Sequence, residues 1–516
     1  MRRLLPVACS VGSILLLLLV AAVPESPFHP LLPVGEQAVA PLRAIADLIG
    51  LDALSRDGLA AVAIVVLLTA CAAFVWSSRV AWRGALSVRT VFWWAVVFNL
   101  AMLTVPLLMS RDVYSYAMYG KISGLYHQNP YVSVPADFPD DPLLALTGPK
   151  WNDTPAVYGP MFSMLSAQVT SVVSDIGDQI FFFRLLAVIA SIATLMVIRR
   201  FVGQVAPTRT AFVLVLFGWN PVVLFHSVAS GHNDILVALA VIGALWLVSR
   251  KHDVLAAVVL ALGMSVKVTA ALPLLLLVVA VYVRRSSGER LIASAKVVAA
   301  AAGTWLLFAL PFLQTSDPTL GMANLAGHEG WLAPSRLFRK TIENALRDVG
   351  LDTVATLAAG LIRVAFPAVL LYSLYLIVRR MTAAGSSLTF QEQGAAWGWA
   401  LLVLMLTGPV LLPWYIVWVL PLAFLFTDVP RRAVVALSVL LAMSEVVAEP
   451  LRSPKIWEGM LIGVHYVITV GVFAVLVWLV RELRRRVGEG RGLDLPVGEP
   501  GREPGREVAS EAYGQA

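Results

Sequence analysis

The chain alternates between long apolar runs and short polar segments. A helix needs about 20 mostly apolar residues to cross a bilayer. Runs close to that length occupy residues 4–23, 59–77, 90–109, 181–198, 211–226, 234–249, 292–312, 352–378, 395–412, 433–448 and 459–480. Shorter or ambiguous runs lie at 254–266, 268–283, 414–427 and 158–173. The pattern predicts an all-α polytopic membrane protein with about 14 transmembrane helices.

Composition supports this class of protein. Of the 516 residues, 59% are apolar and 14% are charged, and the mean hydropathy is +0.80. In soluble proteins about a quarter of the residues are charged, so this composition excludes an ordinary soluble protein. The two cysteines, Cys9 and Cys71, fall inside apolar runs, where a thiol behaves as a small hydrophobic group. We therefore expect neither a disulfide nor a cysteine-based metal site.

Basic residues mark one side of the predicted bundle. If the first helix starts inside and the runs alternate, the inner segments up to residue 486 carry 22 Lys and Arg residues. The first two outer loops, 24–58 and 110–156, carry 5 basic and 10 acidic residues. This asymmetry follows the positive-inside rule, so both termini are predicted to be cytoplasmic. The net charge of +7 is then a topology signal, and no nucleic-acid partner is predicted.

The run at 158–173 is interpreted as a re-entrant or interfacial segment. A full crossing there would place basic residues such as Arg199 and Arg379 outside, against the positive-inside rule. The predicted organisation is a polytopic membrane domain at 1–486, a catalytic outer loop at 110–160, a second outer loop at 313–351 and a tail at 487–516. The tail is rich in Gly, Pro, Glu and Arg, and we expect it to be disordered and cytoplasmic.

The first outer cluster follows the third helix. If the segment from Asp112 is helical, then Asp112, Tyr116 and Tyr119 share one face at i, i+4 and i+7. Further polar and aromatic residues stand at the turns Asn129-Pro130-Tyr131 and Tyr158-Gly159-Pro160. The functional interpretation is an acidic group above an aromatic platform. The structural alternative is an interfacial belt of tyrosines, with Asp112 as a helix cap.

A second set of polar residues falls on the same predicted side. Its members are His232, Asn233, Asp234, Lys267, Arg336, Trp414 and Tyr415. Structural alternatives exist for several of them. Asp234 could be a helix cap, Lys267 a snorkelling lysine, and the two aromatic residues part of an interfacial belt.

This one-sided set suits a reaction on a substrate that is presented from the bilayer. Transfer of a sugar to a hydroxyl group needs a carboxylate as general base to deprotonate the acceptor. It also needs positive groups that stabilise a departing phosphate, here Lys267 with Arg336 and His232. Aromatic side chains suit the C–H face of a sugar ring.

At these residues the chain resembles the glycosyltransferase C superfamily. It is most similar to the actinobacterial polyprenol-phosphate-mannose-dependent α-1,6-mannosyltransferases, which build lipomannan and lipoarabinomannan in the cell envelope. The resemblance extends over residues 110 to 420. Its matching elements are Asp112 with Val113-Tyr114-Ser115-Tyr116, Asn129-Pro130-Tyr131, Tyr158-Gly159-Pro160, His232-Asn233-Asp234, Lys267 and Pro413-Trp414-Tyr415.

The resemblance implies a role for each partner in the reaction. It implies that Asp112 is the catalytic base and that the donor is a polyprenyl-phosphate-linked mannose. The acceptor would be a lipid-anchored mannan, and single displacement with inversion would give an α-mannoside on the extracytoplasmic side of the plasma membrane. Many members of the superfamily carry paired acids where this chain has Arg111-Asp112. A two-carboxylate metal site is therefore not predicted, and we expect no cofactor.

Two other classes of function remain as alternatives. A secondary transporter or lipid flippase would carry ionisable residues near the bilayer midplane and broken helices in repeated halves. Glu445 is the main candidate of that kind. A non-catalytic membrane scaffold would not require the one-sided cluster. The identity of the sugar and of its linkage rests on the resemblance alone.

Overall fold

The computed structural model describes residues 5–30, 32–33, 35–314, 320–321, 328–330, 332–444 and 454–494, without the side chains of 454–462. Within these ranges every regular element is a helix, apart from one isolated bridge between Phe426 and Asp494. This confirms the predicted all-α class. Glu445, Trp331 and residues 495–516 of the predicted tail lie outside the described residues.

Most of the long helices coincide with apolar runs, whereas the helices Ala40–Leu48 and Pro334–Asp348 lie in the predicted outer loops 24–58 and 313–351. In the first half they are α1 Leu5–Ala22, α2 Ala40–Leu48, α3 Arg56–Trp82, α4 Val88–Ala101, α5 Asp112–Gly124, α6 Pro160–Val172, α7 Ile176–Val197, α8 Gly203–Val205 and α9 Thr210–Gly218. In the second half they are α10 Asp234–Ser249, α11 Asp253–Met264, α12 Ala271–Arg284, α13 Arg290–Ala309, α14 Pro334–Asp348, α15 Asp352–Ala384, α16 Phe390–Thr407, α17 Asp428–Ala442 and α18 Pro454–Gly488.

Several of these helices are suited to a membrane. Among the described residues, six helical segments are long and apolar enough to cross one, and a bent pair, Pro207–Gly218 with Val222–Val228, would make a seventh. Four shorter apolar helices are Val88–Thr104, Asp234–Ser249, Asp253–Met264 and Val268–Arg284. The fold is therefore that of an all-α membrane protein, while the number of about 14 crossings stays a prediction.

Local sequence sets where the helices begin. The side chains of Ser55, Asp175 and Thr389 each accept a hydrogen bond from a backbone N–H in the first turn of the helix that follows. Such caps satisfy donors that would otherwise lack a partner. Pro160 and Pro334 open α6 and α14, where the missing N–H of proline costs nothing.

The segment at 158–173 lies against α5 rather than standing apart from the bundle. A Cβ atom at Gly120 would lie 2.5 Å from the backbone oxygen of Ser166, and one at Gly124 would lie 2.5 Å from that of Ala167. The two glycines therefore allow backbone contact between α5 and α6. With 13 residues, α6 is about 20 Å long at 1.5 Å per residue. Its interfacial position stays a prediction.

The short run at 414–427 has a different conformation from its neighbours. It forms two 3-10 helices, Pro413–Trp418 and Leu420–Leu425, and all of these residues are buried. A 3-10 helix rises about 2.0 Å per residue, so it spans a given distance with fewer residues than an α-helix, which rises about 1.5 Å per residue. Irregular backbone of this kind is tolerated at membrane depth where protein surrounds it.

The predicted inner segments meet at one end of the bundle, which we call the Arg209 end. It comprises Trp82, Arg199, Arg209, Phe424 and Arg431. The guanidinium groups of Arg209 and Arg431 lie 5.4 and 4.0 Å from the ring of Trp82. Arg209 also donates to the backbone oxygen of Phe424 at 2.8 Å.

The first residues of the predicted tail pack at the Arg209 end. Helix α18 continues to Gly488, and Leu493 is fully buried. The backbone oxygen of Leu493 accepts from the indole of Trp399 at 3.3 Å, and that of Gly492 accepts from Arg486 at 2.9 Å. Residues 487–494 are therefore ordered by contacts with the bundle.

Candidate active site

Asp112 is the first residue of α5. Its backbone N–H donates to the hydroxyl of Ser110 at 3.2 Å. The capping position is Arg111, and among the described residues no side chain caps this helix. The carboxylate of Asp112 is 21% exposed and lies 3.6 Å from Nδ1 of His232. The interpretation of Asp112 as a mere helix cap is therefore wrong, and its carboxylate faces the cluster below.

The surroundings of Asp112 favour its neutral form. Burial raises the pKa of its carboxyl group to about 6. The positive charge of Lys267 lowers this pKa, the negative charge of Asp234 raises it, and the hydrogen bond with Ser110 lowers it. A carboxylate with a pKa near neutrality is a stronger base than a fully solvated one, yet it is still mostly ionised at pH 7.

His232 stands between Asp112 and the aromatic residues. Its Nδ1 lies 3.3 Å from the hydroxyl of Tyr116, and its ring stacks on Trp414 at a centroid distance of 3.5 Å. Burial, and then the positive charge of Lys267, hold the pKa of His232 well below its usual value. His232 is therefore a neutral imidazole rather than the positive phosphate contact that the sequence suggested.

Gly231 lets the His232 turn approach α5. Its φ is +69°, and an added Cβ atom would lie 2.9 Å from Cγ1 of Val113 and 3.2 Å from Cγ of Arg184. A residue with a side chain would be both strained and crowded here. Arg184 is buried and donates to the backbone oxygens of Ala229 and Val105 at 2.9 and 2.7 Å. The turn is therefore fixed from two sides.

Asp234 and Lys267 form a buried ion pair beneath His232. The ammonium group of Lys267 lies 2.9 and 2.8 Å from the two carboxylate oxygens of Asp234. The indole of Trp418 donates to the same carboxylate at 2.7 Å. Lys267 is 6% exposed and lies 4.4 Å from the ring centre of Tyr415. It does not snorkel, and its charge is already paired within the protein.

The aromatic residues of the segment after Pro413 are packed inside the protein. Trp414 and Tyr415 are 3% and 4% exposed, so the belt interpretation is wrong for both. Tyr415 stacks on Trp418 at 4.4 Å. Sequence reasoning missed Trp418. The three-residue spacing from Tyr415 would have indicated it, because side chains at i and i+3 share a face in a 3-10 helix.

The predicted face of α5 is confirmed. Tyr116 and Tyr119 both contact Tyr158, at ring distances of 4.8 and 6.2 Å. Tyr116 and Tyr119 are almost fully buried, so they are not an exposed interfacial belt. The hydroxyl of Tyr119 donates to the backbone oxygen of Thr154 at 2.7 Å, which fixes the end of the loop before Tyr158.

Asn129 and Tyr131 hold loops in place. The amide group of Asn129 donates to the backbone oxygen of Phe312 at 3.1 Å, and its oxygen accepts from the backbone N–H of Tyr131. The hydroxyl of Tyr131 donates to the backbone oxygen of Tyr158 at 2.8 Å. Contacts of Asn129 and Tyr131 with a substrate stay a prediction.

Arg336 belongs to a different place in the fold. It lies on α14 and lines a cavity of about 280 Å³ between α14 and α18. We call the group of Asp112, His232, Asp234, Lys267 and Trp414 the Asp112 end. Within the described residues, no contact joins Arg336 to this group. A common role for Arg336 and Lys267 in binding one phosphate is therefore not supported by their positions.

The Asp112 end keeps polar atoms available for a ligand. Within the described residues, Nε2 of His232, Nε1 of Trp414 and both amide atoms of Asn233 are buried and make no hydrogen bond. Buried polar atoms normally find a partner. No group of three or more His, Cys, Asp and Glu side chains that could hold a metal ion occurs in the described part of the chain.

Comparisons with known proteins agree with the sequence resemblance. Residues 31–284 match the family described as "Alpha-(1->6)-mannopyranosyltransferase, N-terminal domain". The chain is 26% identical over 410 residues to Alpha-(1->6)-mannopyranosyltransferase A of Mycobacterium tuberculosis, covering 76% of this chain and 73% of the relative. It is 31% identical over 184 residues to the protein of the same name from Corynebacterium glutamicum, covering 34% and 36%. No solved structure matches the chain significantly. The resemblance to α-1,6-mannosyltransferases is thereby confirmed.

Proposed function

We propose that this chain, whose residues 31–284 match the N-terminal domain of α-(1→6)-mannopyranosyltransferases, transfers a mannosyl residue from polyprenyl-phosphate-mannose to a mannoside or lipoglycan acceptor. The new linkage is α-1,6 and forms with inversion. The site faces the extracytoplasmic side of the plasma membrane. The observation that carries the proposal is the Asp112 carboxylate, which is partly exposed and has a pKa near neutrality.

Asp112 acts as the general base of the reaction. It takes the proton of the acceptor hydroxyl while that oxygen attacks the anomeric carbon of the donor. The bond between this carbon and the phosphate oxygen breaks, and polyprenyl phosphate leaves with the electron pair. One carboxylate is enough for this single displacement, because no sugar–enzyme intermediate needs a second one. His232, at 3.6 Å from Asp112, positions the base.

Neutral hydrogen-bond donors can stabilise the leaving phosphate. The lysine at the site is paired with Asp234, so its charge is largely neutralised. The indole N–H of Trp414 and the amide of Asn233 are unused by the protein within the described residues. Fixed donors in a site with little water act strongly on developing negative charge. This support replaces the positive groups that the sequence suggested.

The transporter alternative gains no support from the described residues. Its main candidate, Glu445, lies outside them. The ionisable side chains of the Asp112 end are held at the start of α5, at the start of α10 and in the turn after α11. They meet at one end of the bundle, whereas a transporter site is expected near the midplane.

The direct test is a transfer assay with purified enzyme. Polyprenyl phosphates carrying radiolabelled mannose, glucose or arabinose are supplied with a mannoside acceptor, and the product linkage is determined. We expect label to move from the mannosyl donor alone, into an α-1,6 linkage. Asp112→Asn removes the base, and Asp140→Asn is the matched control because Asp140 is an exposed acid of the same loop. Transfer of another sugar, or an active Asp112→Asn enzyme, would contradict the proposal.

A further inference from the structure

The cavity that Arg336 lines between α14 and α18 is polar and lies apart from the Asp112 end. Its volume is about 280 Å³. Its polar lining consists of Arg336, Lys340, Thr341, Asn344, His465 and Tyr466. All of these side chains can donate a hydrogen bond, and two carry a fixed positive charge. The cavity is therefore suited to an anion with several oxygen atoms.

The two positive side chains of this cavity differ from the other basic residues of α14 in their partners. Arg336 and Lys340 are four residues apart and share one face of α14, and within the described residues neither forms an ion pair. Two other arginines of the same helix do: Arg339 pairs with Glu329 and Glu343, and Arg347 pairs with Glu343. Within the described residues, Arg336 and Lys340 are therefore the basic side chains of α14 that have no carboxylate partner.

The charge of Arg336 acts on its surroundings. Lys150, in the first catalytic loop, donates to the backbone oxygen of Glu329 at 3.1 Å. Burial, and then the positive charge of Arg336, lower the pKa of Lys150, although Glu329 opposes this effect. Arg336 is therefore close enough to act as a positive charge on Lys150, and it also contributes to lowering the pKa of Glu329.

Basic residues on α14 also run against the predicted topology. The helix lies in the outer loop 313–351, and short outer segments are normally poor in Lys and Arg. The first two outer loops follow that rule. A binding role for Arg336 and Lys340 would explain why these basic residues lie on the predicted outer side of the membrane.

The neighbourhood of the cavity favours a lipid over a free ion. Helix α14 rests on α18 through Phe338, whose ring lies 4.6 Å from that of Phe473. Tyr466 lines the cavity and is 43% exposed, and its neighbour Val467 is 69% exposed. A ligand with a phosphate group and hydrocarbon chains would place the phosphate on Arg336 and Lys340 and its chains along this exposed surface.

We propose that the cavity between α14 and α18 is a second binding site, which holds the phosphate headgroup of a lipid through Arg336 and Lys340. The lipid is either an anionic phospholipid of the bilayer or a polyprenyl phosphate. The inference depends on the membrane position of α14, and it does not depend on which sugar the enzyme transfers.

Binding to the full-length protein in detergent tests the site directly. Native mass spectrometry can measure binding of three probes: phosphatidylglycerol, undecaprenyl phosphate and inorganic phosphate. We expect Arg336→Gln with Lys340→Gln to weaken binding of at least one lipid probe by tenfold or more, because charge-assisted hydrogen bonds to phosphate are lost. Arg336→Lys should retain most of the binding. Arg347→Gln is the matched control, since Arg347 lies on the same helix but outside the cavity.

The outcomes separate the two lipids and can overturn the proposal. Weaker binding of phosphatidylglycerol alone identifies a bilayer lipid, and weaker binding of undecaprenyl phosphate alone identifies the donor or product lipid. The proposal is wrong if Arg347→Gln weakens lipid binding as much as the double variant does. It is also wrong if the double variant weakens binding of inorganic phosphate as much as it weakens binding of both lipids. Binding is measured without a sugar donor or acceptor, so the result does not depend on whether Asp112 is the catalytic base, and failure of the catalytic proposal is distinguishable. If the double variant does not fold, Lys340→Gln alone gives the same comparison.

Discussion

The Arg209 end and the Asp112 end both combine charged groups with aromatic rings, but they use them differently. At the Arg209 end, Arg209 and Arg431 lie on Trp82, and Arg209 also donates to the carbonyl of Phe424. At the Asp112 end, one carboxylate, Asp234, is bound by Lys267 and Trp418. The second carboxylate, Asp112, has the neutral imidazole of His232 at 3.6 Å and a hydrogen bond with Ser110, and within the described residues it has no ion pair with Lys or Arg.

This difference shows which charges serve stability and which serve chemistry. A buried carboxylate with a strong positive partner is poorly basic, because its charged form is already stabilised. Leaving Asp112 without such a partner costs stability and keeps the group reactive, which is typical of catalytic residues. The Asp234–Lys267 pair holds α10 and the turn after α11 together at the site. Arg209 similarly holds its helix against Trp82 and Phe424 at the Arg209 end.

Asp112→Asn should give the largest loss of activity. We expect the transfer rate to fall by a factor on the order of 10² to 10⁴, because the general base is lost while its shape is kept. At the Arg209 end the corresponding change is Asp428→Asn, which removes an exposed partner of Arg431. That control should retain activity and change stability by about 0–1 kcal/mol. Equal activities of the two variants in membranes with matched protein levels would remove the distinction between the ends.

Lys267→Met should mainly lower stability. The sequence alone suggested a fall in kcat of at least tenfold, through loss of a phosphate contact. Because the structure pairs Lys267 with Asp234, its removal leaves a buried carboxylate alone and should cost about 3–5 kcal/mol. Thermal unfolding measures this effect. Combining it with Asp234→Asn should recover part of the loss, whereas independent, additive losses would show that the pair does not exist.

Gly231→Ala tests the fit of the His232 turn. The positive φ should cost about 1–2 kcal/mol and the contact with Val113 about 1–3 kcal/mol more. Gly84 in the predicted inner segment 78–89 has the same φ of +69°, with nothing within 4 Å of an added Cβ atom. Gly84→Ala should therefore show the strain alone and keep its activity. Identical unfolding midpoints for the two variants would mean that the turn is not crowded.

The pH dependence should be the smallest of these effects. A base must be ionised, and the pKa of Asp112 is about 6 because burial raises it. We expect kcat/KM to be level above that pH and to fall about tenfold per unit below it. Since the folded-state pKa is raised, ionised Asp112 opposes folding at neutral pH, and this cost disappears as the pH falls below the unfolded pKa. Asp112→Asn should then leave the unfolding midpoint at pH 7 unchanged or higher; a lower midpoint would contradict this environment.

Sequence periodicity predicted the helices because they follow directly from apolar runs. The run 234–249 coincides with α10, Asp234–Ser249. It did not predict the 3-10 conformation after Pro413, because hydrophobic content does not determine backbone dihedral angles. Pro413 and Pro421, which stand at the starts of the two 3-10 helices, were the local signals that the run is not one continuous α-helix.

For the candidate site, the sequence indicated which residues belong to it but not which of them contact one another. Charge placement indicates which end of a membrane protein a residue occupies, so it grouped Arg336 with Lys267. Charge placement cannot indicate where a residue lies within that end. In the structure Lys267 pairs with Asp234, whereas Arg336 lines the cavity between α14 and α18. The partners Asp234 and Trp418 are 184 residues apart, and only tertiary packing brings them together.

The 3-10 segment has a consequence for biogenesis. An α-helix satisfies its own backbone and can enter a bilayer alone. The two 3-10 helices from Pro413 to Leu425 are buried among other elements, and they supply Trp414, Tyr415 and Trp418 to the Asp112 end and Phe424 to the Arg209 end. The surroundings of this segment include α9 and α10, so its backbone depends on those helices for a shielding that an α-helix does not need. A chain truncated before residue 413 would lack the aromatic residues that complete the Asp112 end.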